Sequence, residues 1–203
     1  PDFFEIVEYC VEKGVGVKFS TNGGRITAET AKRLASMDYV DIQISLDGVD
    51  AITNDAVRGE GTFERVRTAM NHLRDADFGQ FKISVVMTRE NVEQVDAYEE
   101  LANEYGAELR LTRFRPSGRG IDTWHELHPT QAQQIELYNW LLARPQVLTG
   151  DSFFHLNALG ESLPGLNMCG AGRARRANPW RVGCRQVCAW AGTHGLWRPP
   201  RGR

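Results

Sequence analysis

Helical and strand-like hydrophobic periodicity alternate from residue 3 to residue 142, and this alternation restricts the fold more than any other feature of the sequence. Apolar residues occur at helical spacing from Phe3 to Val11, and again in several later segments. Between these segments lie four short runs with strand-like character, at residues 15–20, 40–46, 81–87 and 108–114. Strands that are regularly separated by helices favour right-handed crossovers and a single parallel sheet. The expected fold class is therefore α/β.

Composition excludes several classes of protein. The hydrophobic fraction of 41% and the charged fraction of 25% are ordinary for a soluble globular chain. No stretch approaches the ~18 consecutive apolar residues of a membrane span. The opening sequence PDFFEIVEYC has no basic region that would indicate a secretory signal. The four cysteines are too unevenly spaced for a disulfide framework. We therefore expect a cytoplasmic protein without a membrane partner.

The distribution of charge divides the chain. Residues 162–203 contain eight arginines and no Asp, Glu or Lys, which leaves 16 basic against 26 acidic residues before them. An Arg- and Trp-rich segment suits phosphate contacts and base stacking, but its residue types are also those of GC-rich codons read in another frame. Basic runs alone are weak evidence, so a nucleic-acid partner is not expected. We predict a partial barrel at 1–125, a helical linker leading into a further region at 126–172, and an irregular tail at 173–203.

The four predicted strands end in polar sequences, STNGG, SLDG, MTREN and RFRPSGRG. Active sites of parallel α/β proteins lie at the carboxyl ends of the strands. The hydroxyl, amide, Gly and Arg groups found there suit a nucleotide-like ligand, although such residues are also the usual components of turns. A four-stranded sheet preceded by a helix would have an unpaired edge, so we expect one or two further strands upstream.

Three of these segments resemble motifs of radical S-adenosylmethionine (SAM) enzymes. They are Phe19–Gly23, Ile44–Gly48, and Asn54–Gly59 followed by Gly61–Phe63. The resemblance extends over residues 1–173 and is to the peptide-maturase subgroup that has a C-terminal SPASM region. It implies a parallel partial (β/α)6 barrel of the radical SAM type, with four of its six strands present here, followed by a helical and irregular C-terminal region. It also implies SAM and [4Fe–4S] clusters as cofactors.

The resemblance assigns cofactor contacts to individual residues. Ser45 matches the serine that contacts the SAM ribose, where a hydroxyl can both donate and accept hydrogen bonds. Arg58 matches the arginine near the SAM carboxylate, where a planar guanidinium gives bidentate recognition. Ser20 and Asn22 match the loop that lines the same cavity. Asp47 is expected to hold its own turn rather than to touch the ligand.

No catalytic residue can be assigned from the sequence. The loop that carries Arg113, Arg115 and Arg119 either grips a substrate carboxylate or is simply solvated. Three carboxylates have the chemistry of a general acid or base, and nothing in the sequence selects among them: Asp122, Glu126 and Glu161.

The cysteines match the family only in part. Cys169 matches the first ligand of the SPASM auxiliary cluster, and Cys188 follows Gly183 at the spacing of the family's next ligand. Cys184 and Cys188 alone would make a poor metal site. Cys10 is expected to be a small buried side chain on a helix. The C-x-x-x-C-x-x-C motif of the SAM-cleaving cluster does not occur in the sequence, so we interpret the chain as a fragment of such an enzyme.

The maturase branch that the sequence resembles most implies a specific reaction. That reaction is radical decarboxylation of the C-terminal tyrosine of a precursor peptide, followed by a C–C crosslink. The implied partners are the precursor peptide, a small peptide-binding chaperone and an electron donor. Two alternatives stay open: an inactive remnant that binds at most a nucleotide or peptide, and an unrelated TIM-like enzyme that acts on a phosphorylated metabolite.

Overall fold

A computed structural model describes residues 2–79, 81–161, 163 and 166–167. Within these residues the strands form one six-stranded parallel sheet, whose spatial order follows the order of the chain. The strands are β1 (Val17–Thr21), β2 (Val40–Ser45), β3 (Lys82–Met87), β4 (Glu108–Arg113), β5 (Leu148–Gly150) and β6 (Leu166–Asn167). The helices are α1 (Phe3–Glu12), α2 (Ala28–Ala35), α3 (Ala51–Arg58), α4 (Thr62–Asp75), α5 (Val95–Glu104), α6 (Trp124–Leu127) and α7 (Gln131–Leu142). Three 3-10 segments occupy Val92–Gln94, Gly118–Ile121 and Asp151–Leu159.

This architecture confirms the α/β class and the parallel sheet, but the described residues form six strands where four were predicted, and two α-helices were not predicted either. Strands β5 and β6 contain three and two residues, too few for a periodic pattern, and both lie in the region predicted to be helical and irregular. Helix α6 has only four residues. Helix α3 buries only Asn54 and leaves Ile52 85% exposed, so it has no apolar stripe that would indicate a helix.

Side-chain caps define the starts of three helices. The Thr27 hydroxyl accepts a hydrogen bond from the backbone N–H of Thr30 at the start of α2 (3.1 Å). The Asp50 carboxylate does the same for Thr53 in α3 (2.8 Å). Thr130 and Gln133 form a reciprocal capping box on α7. Each cap stabilises its helix by ~1 kcal/mol, so these starts are fixed locally.

One face of the sheet packs against the helices and is called here the helix-packed face. Its strand residues are buried in the hydrophobic core: Ile42, Ile44, Ile83, Val85, Leu109 and Leu111. They belong to the same cluster as Val66, Met70 and Leu73 of α4. Burial of each such side chain contributes ~1.5–3 kcal/mol, so this face supplies much of the stability of the fold.

The opposite face, called here the polar face, is made of the alternate residues of the same strands. In a (β/α) barrel it corresponds to the interior. Apart from Val86 on β3, the side chains of this face are polar or charged. None of the following belongs to the hydrophobic core: Lys18 and Ser20 on β1, Asp41, Gln43 and Ser45 on β2, Lys82 and Ser84 on β3, and Glu108 and Arg110 on β4.

Candidate functional site

The carboxyl end of β2 is held by its own side chains. Ser45 is the last residue of the strand and is half-buried. Two residues later, Oδ1 of Asp47 accepts a hydrogen bond from the backbone N–H of Val86 on β3 (3.0 Å). The Nδ2 of Asn91 donates to the backbone oxygens of both Asp47 (3.1 Å) and Val86 (3.0 Å). The Asp47 carboxylate therefore extends the pairing of β2 with β3 beyond the end of β2.

Helix α3 packs against this turn through a fully buried amide. The Oδ1 of Asn54 accepts the backbone N–H of Asp47 (3.1 Å), and its Nδ2 donates to Asp55 (3.1 Å) and Thr62 (3.0 Å). A Cβ on Gly48 would overlap the backbone nitrogen of Asn54, so only glycine allows this approach. The glycine of SLDG is thus required by the packing of α3 on the turn.

Arg58, the last residue of α3, reaches back to the same turn. Its Nη2 lies 2.8 Å from Oδ2 of Asp47, and the two side chains are 24% and 9% exposed. The Nε of Arg58 is buried and has no hydrogen-bond partner among the described residues. An unsatisfied buried donor costs ~1–3 kcal/mol, which an acceptor supplied by a ligand would remove. The guanidinium is therefore oriented by Asp47 while it keeps a donor for a ligand.

The start of α4 depends on the Asp55 carboxylate. It accepts the backbone N–H groups of Gly61 (2.6 Å) and Phe63 (2.8 Å) and the hydroxyl of Thr62 (2.9 Å). Although burial raises the pKa of Asp55, these hydrogen bonds lower it more, from an ordinary 3.8 to about 2. Asp55 is thus anionic at neutral pH and caps α4 from outside, because Gly61 has no side chain for that role.

A buried tyrosine lies behind the turn. Tyr98 of α5 is fully buried, and burial raises the pKa of its hydroxyl, with a further rise from the negative charge of Asp47. Tyr98 is therefore a neutral phenol at physiological pH. It adds bulk behind the turn and carries no charge there.

The structure places the other predicted SAM contacts on β1 and on the turn that follows it. Ser20 is exposed and lies on the polar face, in register with Gln43. Asn22 is exposed, and its Oδ1 accepts the backbone N–H of Gly24 (3.1 Å), so its carboxamide oxygen serves its own turn. No described contact joins Asn22 to Arg58. The assignments of Ser20 and Asn22 to the SAM cavity therefore stay predictions.

The ion pair between Asp47 and Arg58 was missed by the sequence analysis. Asp47 does hold its turn as expected, but it also fixes the arginine that was assigned to SAM. One signal for it was available. Asp47 follows Ser45 by two residues, and alternation places residues two apart on the same face of a strand.

The arginine loop after β4 lies near α6. The pKa of His128 is lowered by burial and also by the positive charges of Arg113 and Arg89, so Arg113 lies close to that imidazole. Phe114 and Trp124 stack with ring centroids 5.8 Å apart, which packs α6 on the end of β4. The Arg119 side chain lies outside the described residues. A substrate grip by Arg113, Arg115 and Arg119 stays a prediction.

The described residues do not provide a metal site. They contain no group of three or more His, Cys, Asp or Glu side chains placed to hold a metal ion. Cys10 is a free thiol that is half-buried, rather than buried as predicted, because α1 buries only Val7. Cys169 and Cys188 lie outside the described residues, so their metal assignment stays a prediction. The part of the chain described here therefore does not fit a [4Fe–4S] cluster, and no chemical step is assigned to one.

Comparison with protein families decides the family. The family model described as "Radical SAM superfamily" matches residues 1–102, which is about half of the chain. The chain belongs to the radical SAM superfamily. This membership contradicts the alternative of an unrelated TIM-like enzyme.

No helix in the described part of the chain has the length and apolar character needed to cross a bilayer.

Two curated relatives narrow the position within the superfamily. The chain is 60% identical over 176 residues to the protein named "Mycofactocin maturase MftC" from Mycobacterium tuberculosis (strain CDC 1551 / Oshkosh), a match that covers 85% of this chain and 45% of the relative. It is 36% identical over 137 residues to an AdoMet-dependent heme synthase of Methanosarcina barkeri (strain Fusaro / DSM 804), covering 66% of this chain and 39% of the relative. The chain thus spans less than half the length of these relatives.

Two solved structures share the fold. "Native anSMEcpe with bound AdoMet and Cp18Cys peptide" superposes with a TM-score of 0.55 at 17% identity, covering 81% of this chain and 45% of that chain. Streptococcus suis SuiB bound to the precursor peptide SuiA gives a TM-score of 0.55 at 15% identity, covering 83% of this chain and 35% of that chain. At these identities the likeness supports the partial-barrel architecture.

Proposed function

We propose that this chain provides the SAM-binding and peptide-facing part of a mycofactocin-type radical SAM maturase. The observation that supports this most is the 60% identity to a mycofactocin maturase across 85% of the chain. The proposed partners are a precursor peptide, a small peptide-binding chaperone and an electron donor. A cytoplasmic location is part of the same proposal.

The geometry at the end of β2 fits SAM. In the proposed site, the Ser45 hydroxyl contacts the ribose, and the buried Nε of Arg58 donates to the SAM carboxylate. Asp47 keeps the Arg58 guanidinium in place through an ion pair with Nη2 of Arg58. Ser20 and Asn22 line the same cavity from the side of β1. The described residues would hold only the SAM side of such a site; a [4Fe–4S] cluster, where the whole enzyme carries one, would supply the reducing chemistry.

The polar face provides the wall against which a peptide would lie. Its hydroxyl, amide and charged groups suit contacts with a peptide, whereas the helix-packed face stabilises the fold. The proposed reaction is decarboxylation of the peptide's C-terminal tyrosine followed by a C–C crosslink. In this proposal Cys169 and Cys188 are derived from ligand positions of an auxiliary cluster.

A chimeric enzyme tests the proposal. Residues 2–161 of this chain replace the matching part of Mycobacterium tuberculosis MftC, and the purified chimera is reconstituted anaerobically with iron and sulfide. We expect SAM cleavage and SAM-dependent loss of CO2 from the precursor peptide, both measured by mass spectrometry. A folded chimera that cleaves SAM but leaves the peptide unchanged would contradict the peptide assignment. One that holds its clusters but does not bind SAM would support the inactive remnant.

A pair of arginine variants sharpens the SAM part of this test. In the chimera, Arg58→Ala should weaken SAM binding by ~1–3 kcal/mol, because a charge-assisted hydrogen bond is lost. Arg33→Ala is the matched control, since Arg33 lies on α2, where it forms an exposed ion pair with Glu8 and lies over the ring of Phe4. Equal SAM affinity in the two variants would contradict the role of Arg58.

A further inference from the structure

Ion pairs neutralise most of the charge on the polar face. The Nζ of Lys82 lies 2.8 Å from a carboxylate oxygen of Asp41 and 2.9 Å from one of Glu108. Lys18 lies 3.2 Å from the other oxygen of Asp41. Although burial opposes the charge on Lys82, its hydrogen bonds to Asp41 and Glu108 raise its pKa, so it stays protonated. Both carboxylates of the polar face are therefore engaged by lysines.

Arg110 is the cation on the polar face that this network of ion pairs does not include. Its Nη1 donates to Oε1 of Gln43 at 2.7 Å, and Gln43 is a neutral side chain that is 9% exposed. No carboxylate lies within ion-pair distance of Arg110 among the described residues. A guanidinium carries five donors in a planar fork that matches a carboxylate. The polar face thus holds an oriented guanidinium whose charge is not compensated by any described acid.

The strand register places Arg110 close to the proposed SAM site. Ser45 pairs with Ser84, and Ser84 pairs with Arg110, so the three residues form one row across β2, β3 and β4. Two strand spacings separate Ser45 from Arg110, which is roughly 10 Å between Cα atoms. The guanidinium itself reaches Gln43, which precedes Ser45 by one position on the polar face. An anionic group bound at Arg110 would therefore lie beside the proposed ribose contact and one polar-face position towards the start of β2.

We propose that Arg110, positioned by Gln43, binds the C-terminal carboxylate of the peptide substrate. This inference rests on the proposed function, because a peptide that lies on the polar face must be its ligand. The C-terminal carboxylate is the one anionic group that every unmodified linear peptide carries. Arg113 is a poorer candidate for this role, since alternation along β4 puts it on the opposite face from Arg110.

Paired peptides test this assignment on the 203-residue chain. The probe is a short fluorescein-labelled peptide that ends in tyrosine, prepared as the free acid and as the C-terminal amide, with affinity measured by fluorescence anisotropy. We expect the wild-type chain to bind the acid about 10- to 100-fold more tightly than the amide, as for a hydrogen-bonded charge pair. Arg110→Gln should remove this preference, and Arg110→Lys should restore part of it.

Controls separate this inference from the proposed function. Arg74→Gln should keep the full preference, because Arg74 is exposed on α4 and pairs with the exposed Asp75. Circular dichroism establishes that each variant is folded. An Arg110→Gln chain that keeps the preference, or a wild type that binds acid and amide equally, would overturn the assignment. The chimera's peptide chemistry is measured separately, so a failure of the Arg110 assignment is distinguishable from a failure of the proposed function.

Discussion

The two faces of the same sheet differ in what they contribute to the molecule. Ile42 and Ile44 are completely buried against the helices, whereas Gln43 and Ser45, their neighbours in the chain, face the opposite side. The buried residues are apolar and need no partners. The polar residues need hydrogen bonds or ion pairs, and most of them have these. Stability therefore comes mainly from one face, which leaves the other available for ligand contacts.

The turn after β2 connects the two faces. Asp47 and Asn54 are both buried, and they join the end of the sheet to α3 through hydrogen bonds rather than apolar packing. Arg58 is oriented by the same turn. A change here should affect both stability and ligand binding, whereas a change on either face should affect mainly one of them.

The largest effect is expected on the helix-packed face. Ile44→Ala should lower the free energy of unfolding by ~2–5 kcal/mol, because a fully buried side chain is replaced by a cavity. Urea denaturation followed by circular dichroism measures this loss. Ile52→Ala is the matched control, since Ile52 is 85% exposed and its truncation should change stability by less than ~0.5 kcal/mol. Similar losses for the two variants would show that Ile44 is not part of a packed core.

The next largest effect is expected at the connecting turn. Asn54→Ala should cost ~1–3 kcal/mol, because the buried N–H of Asp47 loses its acceptor. It should also increase hydrogen exchange at the Asp47 amide, which mass spectrometry or NMR can measure. Asn103→Ala on the exposed side of α5 is the control and should leave both quantities unchanged. Unaltered exchange at Asp47 would mean that Asn54 does not hold the turn.

The sequence predicted the parts of the fold that have a period and missed the parts that do not. Alternating strands such as 40–46 and the apolar stripe of α4 were recognisable because they bury one face. Helix α3 was not, because its buried residue is Asn54. The consequence concerns the site, since α3 carries Arg58. The family resemblance assigned Arg58 to SAM, but only the three-dimensional packing revealed the ion pair of Arg58 with Asp47.

Arg110 shows a second limit of the sequence. Within the run ELRLTRF it is one of two arginines, and the loop beyond the strand contributes more. Sequence analysis therefore considered the loop arginines for a carboxylate grip, with a solvated loop as the alternative, and did not single out Arg110. Which arginine lacks an acid depends on the register of β3 with β4 and on the two lysines that engage Asp41 and Glu108. Cross-strand pairing of this kind is set by tertiary structure.

A pH-dependent effect is expected at the start of α4. The pKa of Asp55 is lowered to about 2 in the folded chain, so its contribution to stability is present above the ordinary pKa of 3.8 and is lost as the pH falls towards 2. The stability difference between wild type and Asp55→Asn should therefore be constant above about pH 5 and shrink between about pH 4 and about pH 2. Urea denaturation across this range measures it. A difference that does not vary with pH would contradict the low pKa.

The smallest effect on stability is expected on the polar face. Ser45→Ala removes one hydroxyl from a half-buried position outside the hydrophobic core, so the free energy of unfolding should change by less than ~0.5 kcal/mol. In the chimera the same substitution should weaken SAM binding by ~1 kcal/mol, because the ribose loses a hydrogen-bond partner. Ser84→Ala, next to Ser45 in the row, is the control for a general change in polarity. If Ser45→Ala lowered stability as Ile44→Ala does, the division of labour between the two faces would be wrong. If SAM affinity were unchanged, the ribose contact would have to be made by another residue.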